Sequence, residues 1–383
     1  MRSASTKEPI LLVANFESDV GYAWWLMENF WHLISMAASD QGRACLLAYP
    51  RIGAIPDVIR DSPVETVEFK FDYRTWADVR RGLALIRSRN IRAIYLTDWP
   101  YFHPAYLLWR LVGVRRIVMH DHSGGDRPTL SGVRAFLKDA LHATRVFAPS
   151  RFVAVSPFIA RRMQSNGRVP ASRCTTVTNG IRPFHCDRDS RGTVRRSLKI
   201  PDEAVLVSLV SRATHNKNLE FAVRCMAAVL QDPEMRDRVY AVHCGDGPDL
   251  GAFEAAVDAA GISDRFRFLG RRPDVRAILC ASDIAFHPSK YEAMSLAILE
   301  FMNAELAILT SDAPSVCAAI EPGATGLTYQ RDSEADACRQ LRVLIGSEEL
   351  RRSLGTRAAQ TCRERYSLDA MNRAFVDGVL PAL

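Results

Sequence analysis

No apolar run in the 383-residue chain approaches the ~20 residues needed to span a bilayer, so any association with a membrane has to be peripheral. No Cys-x-x-Cys pair occurs. The nine cysteines, an odd number, are scattered from Cys45 to Cys362 among mostly apolar neighbours. They read as reduced, mostly buried thiols of a cytosolic protein. There is no low-complexity tract; 48% hydrophobic and 24% charged residues are the composition of a folded chain, which excludes a disordered one. The opening "MRSASTKEPILLVANFESD" has an apolar run of only about seven residues, ends in acids and lacks a small-residue cleavage site. It is expected to be a first strand and not a signal peptide.

Several catalytic signatures are missing too. "CGDGPDLGAF" carries Gly245 and Gly247 but has Leu at position 250, so it fails the dinucleotide fingerprint. Neither a Walker Gly-x4-Gly-Lys-Ser/Thr, nor His-Glu-x2-His, nor Gly-x-Ser-x-Gly is present. Hydride transfer, P-loop hydrolysis, zinc proteolysis and the usual serine esterase chemistry all lose their support.

What is present begins with length. The chain is long for one core and short for three, so two domains of under about 200 residues, with a cleft between them, are expected. The net charge of +7 is unevenly shared. Residues 1–185 hold 25 Lys+Arg against 15 Asp+Glu, whereas residues 186–383 hold 25 against 28. A basic first half fits nucleic acid, anionic lipid, an acidic small substrate, or merely an Arg-rich solvated surface.

Short apolar runs alternate with amphipathic stretches. "PILLVANF", "ACLLAYP", "AIYLTDW", "RRIVMHDH" and "FVAVS" read as buried strands, with helices between them such as "DVRRGLALIRSR" and "PFIARRMQSNG". After a polar stretch at 180–190 a second series begins: "AVLVSLVSR", "VYAVHCGDG", "FRFLGRR", "DIAFHPS", "LAILTSD", "GLTY". This is parallel α/β in two parts, and ligands in such sheets bind beyond the carboxyl ends of the strands.

The stretch "HPSKYEAMSLAILEFMNAE" is the most informative strand end. Its pattern predicts a loop through about Ala293 and a helix starting near Met294 or Ser295, with Glu292 in the loop and Glu300 in the second turn. Backbone amides of residues 293–296, with the helix dipole, point to an anion site. "LVSRATHNKNLEF" adds Arg212 and Lys217 in a strand-to-helix loop, a guanidinium and an ammonium suited to phosphate oxygens, though alone such a pair is usually a surface feature. Glu292 and Glu300 flanking a phosphate site suit a ligand with hydroxyls at both ends. Read alone, they are a solvated loop acid and a surface helix acid.

The order of these segments resembles the retaining GT-B glycosyltransferases of the family-4 type (glycosyl transferases group 1). "SRFVAVSPFIARRM…CTTVTNGI", "SLVSRATHNKN", "CGDGPD", "FRFLGRRPDVRAILCASDIAFHPS" and "EAMSLAILEFMNA", with its Glu-x7-Glu motif, follow in the family's order. The resemblance implies an α/β GT-B fold of two Rossmann-like domains facing a central cleft: 1–183 for the acceptor and 184–365 for the nucleotide sugar, with a C-terminal helix at about 366–383 packing back on the first. It assigns Arg212 and Lys217 to the donor diphosphate, Glu292 to donor-sugar hydroxyls, and Glu300 to the ribose hydroxyls. His120, or else His122 two residues on, matches a family histidine near the donor sugar; a lone strand-end His is equally well a structural residue. Donor-contacting backbone is expected at Gly245, Ala293, Met294, Ser295 and Leu296. Gly21 is the sole glycine of a first loop that is usually Gly-rich. Ala293, Ser295 and Glu305 stand where relatives commonly have Gly.

The implied reaction is retaining transfer from a nucleoside diphosphate sugar, UDP- or GDP-linked first, with no cofactor. No Asp-x-Asp stands near a strand end, so no metal is expected. The acceptor is a glycan, a lipid-linked molecule or a small molecule, in surface polysaccharide or glycolipid assembly. Aromatics at Trp24, Trp25, Phe30 and Trp31 and at Trp99, Tyr101, Phe102 and Trp109 are either core or an apolar acceptor face. The second case, with the basic first half, favours peripheral contact with an anionic membrane and a cytoplasmic protein at its inner face. Nucleic acid is not expected, since no reading module accompanies the charge. A sugar-nucleotide epimerase-like enzyme and a non-catalytic nucleotide-sugar scaffold are the alternatives.

Overall fold

The computed structural model describes residues 7–21, 24–72, 75–128, 131–144 and 146–383. Two compact units result: the described residues through Asn179 together with Met371–Leu383, and Gly180–Ala370. The first six residues of the opening stretch, and residues 22 and 23 of the first strand-to-helix loop, lie outside the described residues.

The first unit is built on strands β1 (Lys7–Val13), β2 (Arg43–Tyr49), β3 (Glu65–Glu68), β4 (Ala93–Thr97), β5 (Arg116–Asp121), β6 (Arg151–Ala154) and β7 (Cys174–Thr176). Its helices are α1 (Trp25–Asp40), α2 (Asp57–Arg60), α3 (Trp76–Ser88), α4 (Pro104–Leu111), α5 (Gly132–Thr144) and α6 (Pro157–Ser165). The strands form one parallel sheet in the order β3-β2-β1-β4-β5-β6-β7. Central strands such as β4, buried at all five positions, are almost wholly apolar because helices cover both faces.

The second unit holds β8 (Val205–Val210), β9 (Val239–Cys244), β10 (Phe266–Phe268), β11 (Ile284–His287), β12 (Ala307–Ser311) and β13 (Leu327–Tyr329). Its helices are α7 (Arg188–Ser197), which precedes β8, then α8 (Leu219–Leu230), α9 (Pro233–Arg238), α10 (Leu250–Ala259), α11 (Val275–Ala281) and α12 (Leu296–Asn303) between strands, and α13 (Glu334–Gly346) and α14 (Glu348–Arg365) after β13. The sheet is parallel with order β10-β9-β8-β11-β12-β13, a doubly wound arrangement whose strand order reverses between β8 and β11. Fully buried Arg195 ties α7 to the foot of β11: its guanidinium reaches Asp283 Oδ2 at 2.6 Å and the carbonyls of Ala281 and Ala204. A last helix, α15 (Leu368–Gly378), runs from the second unit into the first, where Phe375 stacks on Phe30 with ring centroids 4.5 Å apart.

Two strands were not legible. β3 ("ETVE") and β7 ("CTT") are edge strands with no buried residue, so neither carries an apolar run. The cysteine reading also needs correction. Cys186 and Cys280 form a disulfide, although 94 residues separate them in sequence. Packing of α7 on α11 brings their neighbourhoods together, and no spacing rule could show that. The other seven are free, five of them buried. The aromatic clusters are largely interior: Phe30, Trp31, Tyr101 and Trp109 are buried and Trp24, Trp25, Trp99 and Phe102 half-buried, which removes them as an exposed apolar face. Among the described residues no helix is long and apolar enough to cross a membrane.

Candidate active site

The reversal between β8 and β11 brings two loops of the second unit side by side. Beyond β8 the chain exposes Arg212, then tightens into a single 3-10 turn, His215–Lys217, which Asn218 closes in the left-handed region at φ 56° before α8 begins. Beyond β11 the chain runs through Glu292 to α12. The loops are tied at two points: Lys290 N–H donates to the Asn216 carbonyl at 2.8 Å, and Lys290 Nζ lies 2.7 Å from His215 Nε2.

Lys217 and Glu292 meet across this junction. Lys217 Nζ donates to Glu292 Oε1 at 2.6 Å, and His287 Nε2, at the end of β11, lies 3.0 Å from the same oxygen. Burial alone would raise the Glu292 pKa, but the Lys217 charge and the His287 hydrogen bond outweigh it and hold the carboxyl at about 2. Glu292 is therefore a carboxylate throughout the neutral range. One of its oxygens is committed to the two basic side chains.

Helix α12 starts at Leu296, with the Ser295 hydroxyl accepting from Ile298 N–H, as the sequence pattern predicts. Neither Ala293 nor Ser295 is among the positive-φ residues, so the two replacements of a common glycine sit without backbone strain. Glu305 differs: its φ is 59°, which explains why glycine suits that position. Met294 is buried and Leu296 half-buried, and Glu300 lies in the second turn of α12, 6% exposed.

Gly245 and Gly247 follow β9. The sequence points to a backbone that approaches a ligand; the close approach found is to the chain itself. A Cβ on Gly245, whose φ is +146°, would lie 1.8 Å from the Ser211 carbonyl oxygen, and one on Gly247 would lie 2.3 Å from that of Ala213. Hydrogen bonds from Ala213 N to Asp246 O and from Asp249 N to Ala213 O hold the β9 loop against the β8 loop that carries Arg212. These glycines shape the Arg212 loop from behind.

His120, His122 and Gly21 belong to the first unit. His120, within β5, has no exposure, and its Nδ1 lies 2.6 Å from the Tyr95 hydroxyl. His122, just past the strand, has its ring centroid 4.2 Å from that of His120, with the planes tilted by 51°, and donates its backbone N–H to Asp98 Oδ1. Burial lowers both pKa values, that of His122 to about 4, so both rings are neutral at pH 7. Both Nε2 atoms are buried without a hydrogen-bond partner among the described residues. Asp121, on the opposite face, is held by Arg162 at 2.9 Å and by the Tyr101 hydroxyl. Gly21 turns the first loop at φ 89°.

Comparison with known proteins extends the picture. The model of the family described as glycosyl transferases group 1 matches residues 190–361, and that of glycosyltransferase family 4 matches residues 32–183. The chain belongs to the group 1 glycosyltransferases. It is 26% identical over 283 residues to the alpha-D-kanosaminyltransferase of Streptomyces kanamyceticus, covering 70% of this chain and 71% of that one. It is 30% identical over 169 residues, 43% of this chain and 47% of the other, to the lipopolysaccharide core biosynthesis mannosyltransferase LpcC of Rhizobium leguminosarum. Among solved structures, HepE of Anabaena in complex with UDP-glucose superposes with a TM-score of 0.73 at 19% identity, over 98% of this chain and all of that one. The fold is GT-B.

For this glycosyltransferase the sequence reading missed His287, Lys290 and His215. His287 stands five residues before Glu292 and closes the apolar run of β11, where the alternation gives no hint that its ring turns back to the carboxylate. The tie between Lys290 and His215 joins residues 75 apart, visible only once β8 and β11 are neighbours.

Proposed function

We propose that this glycosyltransferase moves a sugar from a UDP- or GDP-sugar to an acceptor of surface polysaccharide or glycolipid assembly, with retention at the anomeric carbon and without a metal ion. It would work in the cytoplasm at the inner face of the membrane. The observation that carries the reading is the junction of the β8 and β11 loops. There Lys217 and exposed Arg212 supply positive charge, Glu292 is fixed as an anion, and the N-terminus of α12 follows directly. HepE, which shares the fold, was captured with UDP-glucose, and LpcC acts in lipopolysaccharide core biosynthesis.

In the proposed reaction the bond from the anomeric carbon to the diphosphate oxygen breaks through an oxocarbenium-like state. The acceptor oxygen bonds to the same face, and its proton passes to the departing phosphate. Charge grows on the diphosphate, so fixed donors, Arg212, Lys217 and amides of residues 293–296, stabilise the transition state more than the ground state. With its pKa held at about 2, Glu292 has no proton to give at neutral pH. It acts as hydrogen-bond acceptor for a sugar hydroxyl and as the anchor of Lys217. Glu300 would take the ribose hydroxyls, and neutral His120 or His122 would donate to the sugar.

The test is incubation of the protein and EDTA with ¹³C-labelled UDP- and GDP-sugars, with and without a lipid extract as acceptor source. Expected is acceptor-dependent release of nucleoside diphosphate and a product anomer matching the donor. An inverted anomer would contradict retention. Isomerised sugar released without acceptor would favour the epimerase-like alternative, and turnover abolished by EDTA and restored by a divalent ion would remove metal independence.

A further inference from the structure

The Cys186–Cys280 disulfide lies at the surface of the second unit. Cys186 is exposed and Cys280 half-buried, whereas five of the seven free cysteines are buried. The bond ties the segment by which the chain enters this unit to helix α11. Both ends of the segment are held without it. Ile181 N–H donates to the Tyr366 carbonyl at 2.9 Å, and Leu368 N–H donates to the Ile181 carbonyl at 2.8 Å. Arg191 of α7 reaches the Ser282 carbonyl at 3.0 Å and Asp283 Oδ1 at 2.7 Å, beside the contacts that Arg195 makes. Between these points residues 182–187 are exposed except for half-buried Phe184. The Phe184 carbonyl accepts from Asn303 Nδ2, at the end of α12, at 2.7 Å, and the Arg276 guanidinium lies 5.1 Å from the Phe184 ring centroid. A neutral hydrogen bond and a cation–π contact at the surface are weak holds. The covalent bond two residues further on keeps Phe184 in its seat.

We propose that Cys186–Cys280 is a reversible latch, opened by a dithiol, that holds Phe184 on α12. A thiolate of the dithiol attacks the exposed Cys186 sulfur, and the electron pair of the S–S bond leaves with Cys280, which takes a proton. The second thiol of the reductant, as thiolate, then displaces Cys186, which takes the other proton. The reductant ends as a disulfide and the protein as two thiols, two electrons and two protons having moved, and a disulfide oxidant reverses the exchange. Exposed disulfides are the readily exchanged ones, and in the cytoplasmic setting proposed above such a bond is a sensor and not a staple. Because the Arg191 and Arg195 contacts and the Ile181 bridge do not depend on it, opening frees Phe184 and its segment and leaves the sheet intact. Asn303 ends the helix that carries Glu300, so the release reaches the proposed donor site. That consequence rests on the transferase reading.

The experiment incubates the native full chain with reduced or oxidised dithiothreitol, blocks thiols with iodoacetamide, removes both reagents and adds chymotrypsin briefly. Peptide mass spectrometry reads alkylation of Cys186 and Cys280 and cleavage after Phe184. Expected is that reduced dithiothreitol opens the pair without denaturant and that the oxidised form restores it in an unblocked portion. Cleavage after Phe184 should rise about tenfold or more in the opened protein, as the population of the freed segment rises. Cys186→Ser should be cut like the opened wild type whatever the redox state, and the wild-type samples decide the matter alone where that variant does not fold. The proposal is overturned if the pair yields only in urea, if it does not re-form, or if cleavage after Phe184 is unchanged in opened, folded protein. Binding of UDP- and GDP-sugars is followed in both redox states. Binding about threefold weaker or more is expected in the opened state. Equal binding in both states overturns the link to the donor site, and no binding in either removes the transferase reading while the cleavage result still decides the latch.

Discussion

Replacing Lys217 by Met should uncover the cost of burying Glu292. The ion pair spans 2.6 Å, with the side chains 19% and 12% exposed. The fall of the Glu292 pKa from 4.5 to about 2 corresponds to about 3 kcal/mol favouring the anion, net of burial. His287 supplies part of this, so loss of Lys217 is expected to destabilise the second unit by about 2–3 kcal/mol, in line with breaking a largely buried pair. The pH dependence carries the sign. In the wild type the contribution of Glu292 is complete above about pH 4.5 and is lost as pH falls towards about 2. In the variant burial dominates and lifts the carboxyl above its ordinary range, so folding is penalised increasingly as pH rises through that raised value. The gap between the proteins therefore widens as pH rises from below about 2, where Glu292 is protonated in both, into the neutral range. All six tryptophans fall within residues 24–109, so their fluorescence follows the first unit. Hydrogen exchange of peptides covering 284–303 reports the second. Lys217→Met/Glu292→Gln, which removes both charges, should recover much of the loss. A coupling below about 0.5 kcal/mol in this double-mutant cycle would refute the reasoning.

Three further outcomes are expected. Glu305→Gly should stabilise the protein by about 1 kcal/mol, read as a higher Tm, because Glu305 is held at φ 59°; a lower Tm would count against that account. Gly245→Ala should destabilise by more than about 2 kcal/mol and loosen the Arg212 loop in hydrogen exchange, since the new methyl would meet the Ser211 carbonyl; unchanged protection over 209–218 would contradict it. Tyr95→Phe removes the bond to His120 inside the first unit and should cost about 1–3 kcal/mol in denaturant unfolding followed by tryptophan fluorescence, a cost absent if that ring finds another partner.

Most of the fold was legible because each central strand is a short apolar run bounded by polar residues, as burial on both faces of a parallel sheet requires. The illegible parts are those whose cause is tertiary. β3 and β7 lie at an edge and need no apolar run, and the disulfide between Cys186 and Cys280 depends on helices meeting across 94 residues. At the candidate site the local features could be read: the Ser295 cap, Glu300 in the second turn, and Glu292 before the helix. The pairing of Lys217 with Glu292 and the part played by His287 could not, since both arise where β8 and β11 become neighbours. His120 and His122 remained interchangeable in sequence. The fold separates them, one inside the sheet on Tyr95 and one just beyond the strand.

The most direct measurement is ligand-detected NMR with UDP-, GDP-, ADP- and dTDP-sugars in the presence of EDTA, on the wild type and on Glu300→Ala. The account expects sugars of one nucleotide class to bind the wild type and to bind folded Glu300→Ala at least tenfold more weakly. Absence of binding by every class to well-folded wild type, or undiminished binding by Glu300→Ala, would contradict it.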